Sequence, residues 1–375
     1  MKNVTIYPSH LHGSIPAIPS KSAAHREIIK AAFAAAPTRI HLSSVCDDVA
    51  ATIAAIRAIG AKATFENGVL CVTPVCFNGI PKKAVINCRS SASTLRFFIP
   101  IVCALGIETE FIADESLRLR PVKPLVDTLK AHGAEIASTE QGFVVSGRLQ
   151  SGEYRIDGGI SSQYITGLTF ALPLVGNSTL HVIGDAVSKP YIKLTKSIID
   201  APHKDDVYVE GDWSCGAFFL AAGVEVNGLD KSSIQGDKAI LDLLESDADT
   251  FDVSDTPDLA PVAACIFAGK NRTSAITGCS RLRYKESNRI DSVTDMLRAF
   301  GIACESTNDT VTIHGDDIHG GTVDAKGDHR IAMAAVILAS FADSPTTIIG
   351  GDCVVKSYPE FYKHYAMAGG KSDAV

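Results

Sequence analysis

The stretch IAAIRAIGAKATFENGVLCV, residues 53–72, recurs in two other places. LVDTLKAHGAEIASTEQGFVV spans 125–145 and VTDMLRAFGIACESTNDTVTI spans 293–313. Each holds Ile or Leu, then Arg or Lys, then Ala-x-Gly. Apolar residues three or four apart in the first half predict an amphipathic helix. Gly60, Gly133 and Gly301 then fit the helix C-cap, where a positive φ is cheap only without a Cβ. The second half of each segment predicts a hairpin, turning at Glu66-Asn67-Gly68, Gln141-Gly142 and Asn308-Asp309. One helix followed by a small sheet, copied along the chain, predicts an α/β fold built from repeated units. Two further helices, YIKLTKSIID and AILDLLES, run on into APHKDDVYVEGD and DADTFDVSD without the Gly-hairpin. Two units are therefore expected to be shortened.

The chain has 375 residues, 46% of them hydrophobic and 21% charged, enough for two domains with separate cores. A formal net charge of −7 argues against a general nucleic-acid or anionic-membrane binder, yet leaves room for a local cationic pocket. Ten cysteines are scattered with no C-x-x-C pair, which fits reduced, buried thiols and gives no zinc pattern. The N-terminus has no signal-peptide apolar core. FFIPIVCALGI is too short to span a bilayer and contains Pro100. A soluble cytoplasmic protein is expected. Neither G-x-G-x-x-G after a strand nor G-x-x-x-x-G-K-[ST] is present, so a dinucleotide or P-loop reading has little support.

Between the repeats lie short charged or hydroxylic strings. In SKSAAHR, Ser20 is placed to cap a helix, with Lys21 and Ser22 in its first turn and Arg26 four residues after Ser22. Capping explains Ser20 but not Lys21, because a cation at a helix N-terminus is unfavourable unless an anion compensates. SSASTLR, residues 90–96, puts hydroxyls before a helix that carries Arg96. RLRPVKPLV sets Arg118 and Arg120 before Pro121, a residue suited to a first helical turn, although a solvated basic loop is the commoner meaning. GGISSQYITGL offers Ser161, Ser162 and Gln163 at a helix start, and SKPY offers Ser188, Lys189 and Tyr191 at another. Both are open to simple capping. Asp258 in TPDLAP precedes an apolar helix and in isolation reads as its cap. Arg281, Arg283, Lys285, Glu286 and Arg289 crowd into nine residues, usually the mark of a solvated salt-bridge face. Asp328, His329 and Arg330 stand at the mouth of a strongly apolar helix, which points to a site, and VVKSYPEFY adds Lys356. The shared grammar is a helix start, hydroxyls or Gly, then a cation. If the fold converges these helix ends, they form one positive cavity for a polyanion.

Taken in order, SKSxxxR, a hydroxyl-rich xLR segment, RPxxPLVDxL, SSQxxTxL, SKPY, EGDxSxxxxFLAA, TPDxAP, RxKESxRI, DHRxAM and KSYPxF resemble the enolpyruvyl transferases that act on shikimate 3-phosphate. The strings run from residue 20 to 361. The resemblance implies a two-domain inside-out α/β barrel of helix-plus-sheet units closing around its substrates. One domain would take roughly 1–18 and 212–375, the other 19–211, with crossings near Pro19 and Gly211-Asp212. It implies transfer of the enolpyruvyl group of phosphoenolpyruvate to the 5-hydroxyl of shikimate 3-phosphate, by addition then elimination, with no metal or organic cofactor. It also implies a monomer whose partners are these small molecules alone.

By motif position, Ser22, Arg26, Ser161, Ser162, Gln163, Ser188 and Tyr191 would hold shikimate 3-phosphate. Arg120, Arg289, Arg330 and Lys356 would hold phosphoenolpyruvate, with Lys21 between the two substrates and Lys285 also among the substrate-binding residues. Asp258 would be the base facing the hydroxyl, Glu286 the acid near the methylene carbon with Lys21 helping, and His329 an orienting group. The resemblance weakens at Ser90-Ser91-Ala92-Ser93, where the family usually has Asn-[Ala/Ser]-Gly-Thr. Ser90 shortens the reach. The Ala92 methyl would crowd glyphosate, a competitor slightly longer than phosphoenolpyruvate, more than it crowds the substrate. Rival readings are the sister transferase acting on UDP-N-acetylglucosamine, RNA 3′-phosphate cyclase, and a non-catalytic polyanion-binding homologue. The sister enzyme's Gly-Cys loop is missing between Arg96 and Arg120, and net charge disfavours the cyclase. Asp258 and Glu286 disfavour a mere binder, since carboxylates hinder anion binding unless they move protons.

Overall fold

A computed structural model describes residues 2–373. The chain divides into two compact units, Pro19–Val209 and Met1–Ile18 with Glu210–Val375. The dividing point lies two residues ahead of the expected Gly211-Asp212 crossing.

Three sheets build the unit Pro19–Val209. Two have four strands: Asp206–Tyr208, Thr38–His41, Val69–Thr73 and Lys62–Glu66 in one, and Lys83–Arg89, Glu108–Ala113, Gly142–Gly147 and Ala134–Ser138 in the other. In both, the first two strands are parallel and the last two form an antiparallel hairpin. The third sheet is only the parallel pair Glu153–Asp157 and Thr179–Ile183. Helix Lys189–Asp200 follows that pair and no hairpin comes after it.

The other unit repeats the pattern. Thr250–Asp252, Thr273–Thr277, Thr310–His314 and Ala303–Ser306 form one four-stranded sheet. Thr322–Asp324, Thr346–Ile349, Val4–Tyr7 and Lys371–Ser372 form a second. Ser14–Pro16 and Glu225–Asn227 make the short parallel pair. The N-terminal strands Val4–Tyr7 and Ser14–Pro16 thus complete sheets of the C-terminal half, which is why this unit is discontinuous in sequence. Helix Ile240–Glu245 ends without a hairpin, so both shortened units are the ones the sequence singles out.

The three repeats obey their local chemistry. Gly60, Gly133 and Gly301 have φ of +105°, +97° and +80° at the helix exits. Each hairpin is then paired antiparallel. Asn67 and Gly68 both take positive φ, as a tight hairpin turn with right-handed strand twist requires. Each unit has its own apolar core. In Pro19–Val209, helices Ala92–Leu105 and Ser162–Val175 approach so closely that a Cβ on Gly167 would lie 2.4 Å from the Arg96 carbonyl oxygen. That closeness sets Arg96 beside Gln163.

A buried polar chain ties three helices of this unit together. His25 Nδ1 lies 2.7 Å from Thr52 Oγ1, which lies 2.8 Å from Thr94 Oγ1, itself 2.8 Å from Ser91 Oγ. Burial pushes the His25 pKa down to about 3, with Asp48 opposing the shift and Lys21 and Arg26 adding to it. A histidine held neutral in the folded chain costs stability wherever the unfolded chain can bind the proton. Its contribution is intact above the ordinary value of 6.5 and is lost as pH falls from there toward 3. Lowering the pH from about 6.5 to about 5 is expected to remove about 2 kcal/mol through His25. Urea denaturation of wild type and His25→Gln across that range tests this, because the variant's stability should fall less steeply. Parallel curves would contradict it.

Candidate active site

In the unit Pro19–Val209, Ser20 caps helix Lys21–Ala32 by accepting from the Ala23 N–H, and Lys21 and Ser22 occupy its first turn as expected. Lys21 Nζ lies 3.0 Å from Asp48 Oδ2, an acidic partner that the motif reading missed. The cation at the helix start is therefore compensated from within the chain. Arg26 is 3% exposed, and each of its three nitrogens is engaged. Nε donates to Thr195 Oγ1 at 2.8 Å, Nη1 to the Ser22 carbonyl at 2.6 Å, and Nη2 to the Tyr191 carbonyl at 3.3 Å. Burial brings its pKa down to about 10, opposed by Tyr191. Arg26 thus staples the SKS helix to the SKPY helix.

Ser91, not Ser90, caps helix Ala92–Leu105, and Ala92 is its buried first residue. Arg96 donates to Gln163 Oε1 at 2.8 Å and to the Pro121 carbonyl at 2.7 Å, while Gln163 Nε2 donates to Ser93 Oγ at 3.0 Å. Arg96 therefore positions Gln163 and the Arg120-Pro121 segment. Pro121 does not open a helix. The next long helix starts at Lys123, with Pro124 in its first turn, so Arg120 lies in the loop that Arg96 holds. Ser161 caps helix Ser162–Val175, placing Ser162 and Gln163 at its tip. Ser188 precedes helix Lys189–Asp200 in the left-handed region at φ 52° and its side chain does not cap the helix. Backbone strain of this kind in a non-glycine residue clusters at functional sites. Tyr191 sits in the first turn of the same helix.

The other unit gathers a denser constellation. Asp258 lies in the short turn Pro257–Leu259 and does not cap helix Ala260–Ala268, so the capping reading fails. Its Oδ1 meets Arg289 Nη1 at 2.6 Å and Lys285 Nζ at 3.2 Å, and its Oδ2 meets Arg330 Nη2 at 3.1 Å. Glu286 accepts from Arg289 Nη2 at 2.7 Å and from Lys356 Nζ at 3.1 Å. Arg289 also donates through Nε to Asp328 Oδ2 at 2.8 Å. One guanidinium, with 1% of its side chain exposed, therefore spans three carboxylates.

Asp328 is fully buried and caps the apolar helix His329–Ser340 through the Arg330 N–H. It received no role from the motif reading, although the triplet it opens was noticed. Its cap signature was legible; its grip on Arg289, 39 residues away, was not. His329 is buried as the first residue of that helix, 4.0 Å from Asp328 Oδ1. Lys356 ends the short turn Gly351–Lys356. The RLRYKESNRI run is not a solvated face. Arg289 is buried, Arg283 reaches out to Asn308, and Arg281 donates to the Ser254 carbonyl.

Electrostatics follow from this crowding. Burial would raise the Asp258 pKa, but Arg330, Lys285 and Arg289 outweigh it and hold the carboxyl well below the usual range. Burial, with Arg289 and Arg281 nearby, brings Lys285 down to about 8 against the pull of Asp258 and Glu286. Arg330 and Arg289 are buried, yet the surrounding carboxylates keep both firmly charged. Four cations therefore face three carboxylates, an arrangement suited to seating an anion and moving protons beside it.

Comparison with known proteins agrees with the chemistry. The family model for EPSP synthase (3-phosphoshikimate 1-carboxyvinyltransferase) matches residues 6–202 and 245–364. The break between them begins and ends beside the two helices that lack hairpins. The 3-phosphoshikimate 1-carboxyvinyltransferase of Clostridium kluyveri is 33% identical over 422 aligned positions, covering 100% of this chain and 99% of that one. The enzyme of the same name from Methanocorpusculum labreanum is 32% identical, covering 96% of this chain and 97% of its own. The solved EPSP synthase of Acinetobacter baumannii shares the fold, with a TM-score of 0.78 at 21% identity over the whole of both chains. With a family match over most of its length and full-length relatives of one name, the chain belongs to the EPSP synthase (3-phosphoshikimate 1-carboxyvinyltransferase) family.

Proposed function

We propose that the chain joins phosphoenolpyruvate to the 5-hydroxyl of shikimate 3-phosphate and releases phosphate, as its family membership implies, using the residues described above. The observation that carries the assignment of roles is the meeting of Lys285, Arg289, Arg330 and Lys356 around Asp258 and Glu286.

Two phosphates and two carboxylates bring a formal charge on the order of −6. Unit charges about 4 Å apart repel by roughly 4 kcal/mol at an effective dielectric of 20. Fixed Arg forks and Lys ammonium groups offset that repulsion. In this reading Lys285, Arg289, Arg330 and Lys356, with Arg120, hold phosphoenolpyruvate. Ser22, Ser161, Ser162, Gln163, Ser188 and Tyr191 hold shikimate 3-phosphate, and Lys21 serves both. Arg26 joins them in holding shikimate 3-phosphate while anchoring that wall through Thr195, Ser22 and Tyr191.

In the addition step the 5-oxygen bonds to C2 of phosphoenolpyruvate while its proton passes to Asp258. Glu286 gives a proton to C3, turning the methylene into a methyl. In the elimination step the C2–O bond to phosphate breaks as Asp258 passes its proton to the departing phosphate, and C3 returns a proton to Glu286. His329 steadies the charge that develops. The enzyme acts as a cytoplasmic monomer in this reading; no helix among the described residues is long and apolar enough to cross a membrane.

Phosphate release measured with both substrates, with each alone, and with UDP-N-acetylglucosamine in place of shikimate 3-phosphate tests the assignment. Release only with the first pair is expected. Release with the nucleotide sugar, or none at all from folded protein, would overturn it.

Ala92 bears on inhibitor selectivity. Its methyl stands at the buried start of helix Ala92–Leu105. One methyl in a tight pocket discriminates by about tenfold or more. Ala92→Gly is expected to strengthen glyphosate inhibition by about that factor, with a smaller change in KM for phosphoenolpyruvate. Equal, potent inhibition of both proteins would reject this.

A further inference from the structure

The cationic cluster is occupied by the chain's own acids. Asp258 takes one donor each from Arg289, Lys285 and Arg330, and Glu286 takes one each from Arg289 and Lys356. The cations placed to seat a phosphate or carboxylate are therefore the cations that neutralise these two side chains. Arg330 Nη1 is different: it is buried and meets no protein acceptor among the described residues. It is a donor that a bound anion can take without displacing a carboxylate from it.

We infer that Asp258 and Glu286 are internal stand-ins for the substrate anion, and that an arriving anion takes over their cations and drives a proton from solvent onto one of the two carboxyls. This inference rests on the functional reading above and assigns how binding at that site is coupled to proton loading.

Charge counting supports it. Lys285, Arg289, Arg330 and Lys356 against Asp258, Glu286 and Asp328 leave a balance of one positive charge. A dianion turns that balance into one negative charge, and protonating one carboxyl brings it to zero. Asp328 is the least able to take the proton, because it is fully buried, caps a helix and binds Arg289 through both oxygens. Asp258 and Glu286 retain some exposure, 22% and 12% of their side chains. The other charged or titratable groups facing the cluster are Arg281 beside Asp258, Asp237 and Cys215 beside Arg330, His329 beside Asp328, and Cys353, with Asp352 near it, beside Asp328 and Lys356.

The consequence is mechanistic. Asp258, clasped by three cations, is a weak base until a substrate anion draws them away. The same event supplies the proton that C3 of phosphoenolpyruvate must receive. Substrate binding thus readies both acid and base, and the chemistry waits for the correct charge to arrive.

Sulfate is the appropriate probe, since it has no proton of its own to exchange near neutrality. Titration calorimetry of the full chain at about pH 6, in buffers of differing ionisation enthalpy, counts the protons taken up per sulfate. At that pH Lys285, with its pKa of about 8, is already charged and does not contribute. Wild type is expected to take up a substantial fraction of a proton. Asp258→Asn and Glu286→Gln should each bind sulfate at least about tenfold more tightly, because a competing carboxylate is gone. Their double variant should lose the uptake, which separates it from any titration of His329.

Absence of uptake in wild type, a measurement that needs no variant, would overturn the inference. So would uptake that persists in the double variant, or sulfate binding no tighter in either single variant. Wild-type protein that turns over both substrates yet takes up no proton would remove this inference alone. Uptake without turnover would remove the functional reading and leave the charge exchange standing.

Discussion

Arg289→Met is expected to abolish turnover and to lower folding stability by about 3–5 kcal/mol, the cost of removing one partner from a buried ionic group. The side chain is 1% exposed and bonds to Asp258, Glu286 and Asp328 at 2.6, 2.7 and 2.8 Å. Its loss leaves three carboxylates close together with Lys285, Arg330 and Lys356 as their remaining cations. These acids must then shift to higher pKa or move apart, and either change disturbs the residues proposed for catalysis. Arg289→Lys restores the charge but not the planar fork, and one ammonium cannot hold the same three acceptors in place. It should recover part of the stability and little of the activity. Urea denaturation together with phosphate release checks both variants. A stable, active Arg289→Met protein would show that the network is dispensable.

Asp258→Asn and Glu286→Gln are each expected to lower kcat by about 10²–10⁴-fold, the range for removal of a positioned proton-transfer group. Their effects should not multiply in the double variant, because the two side chains share Arg289 and act on one substrate. The variants should keep or improve anion binding, so the loss belongs in kcat and not in KM for phosphoenolpyruvate. Single-turnover measurements separate the two constants. A rate within about threefold of wild type for either variant would remove that residue from the chemistry.

Much of the architecture was legible because repetition exposes it. The Ile/Leu-Arg/Lys-Ala-x-Gly signature located three helix ends and their hairpins, since a left-handed glycine and a two-residue turn are local requirements. The two truncated units were visible for the same reason: a helix that should meet a Gly-hairpin did not. Site residues were legible as strings, but their meaning depended on tertiary pairing. Asp258 looks like a cap in sequence and is instead a hub for three cations. The RLRYKESNRI run looks solvated, yet it delivers Arg289 into the interior. Arg26 matches a ligand position, and the bonds by which it also ties the SKS helix to the SKPY helix were not legible from spacing. Asp48 and Asp328, which compensate Lys21 and Arg289, lie 27 and 39 residues from their partners, one in the first turn of another helix and one capping another. No periodicity or spacing rule connects such pairs, because the distance that matters is created only by packing.

The central claim is that a protein acid protonates C3 of phosphoenolpyruvate and the resulting methyl gives a proton back. Running the reaction in D2O and reading deuterium on the vinyl carbon of the product by NMR tests that claim most directly. The account predicts label at C3 in every product pool, since a methyl holding one deuterium can lose protium on elimination. Product formed at the normal rate with an unlabelled methylene would contradict it, whatever the geometry around Asp258 and Glu286.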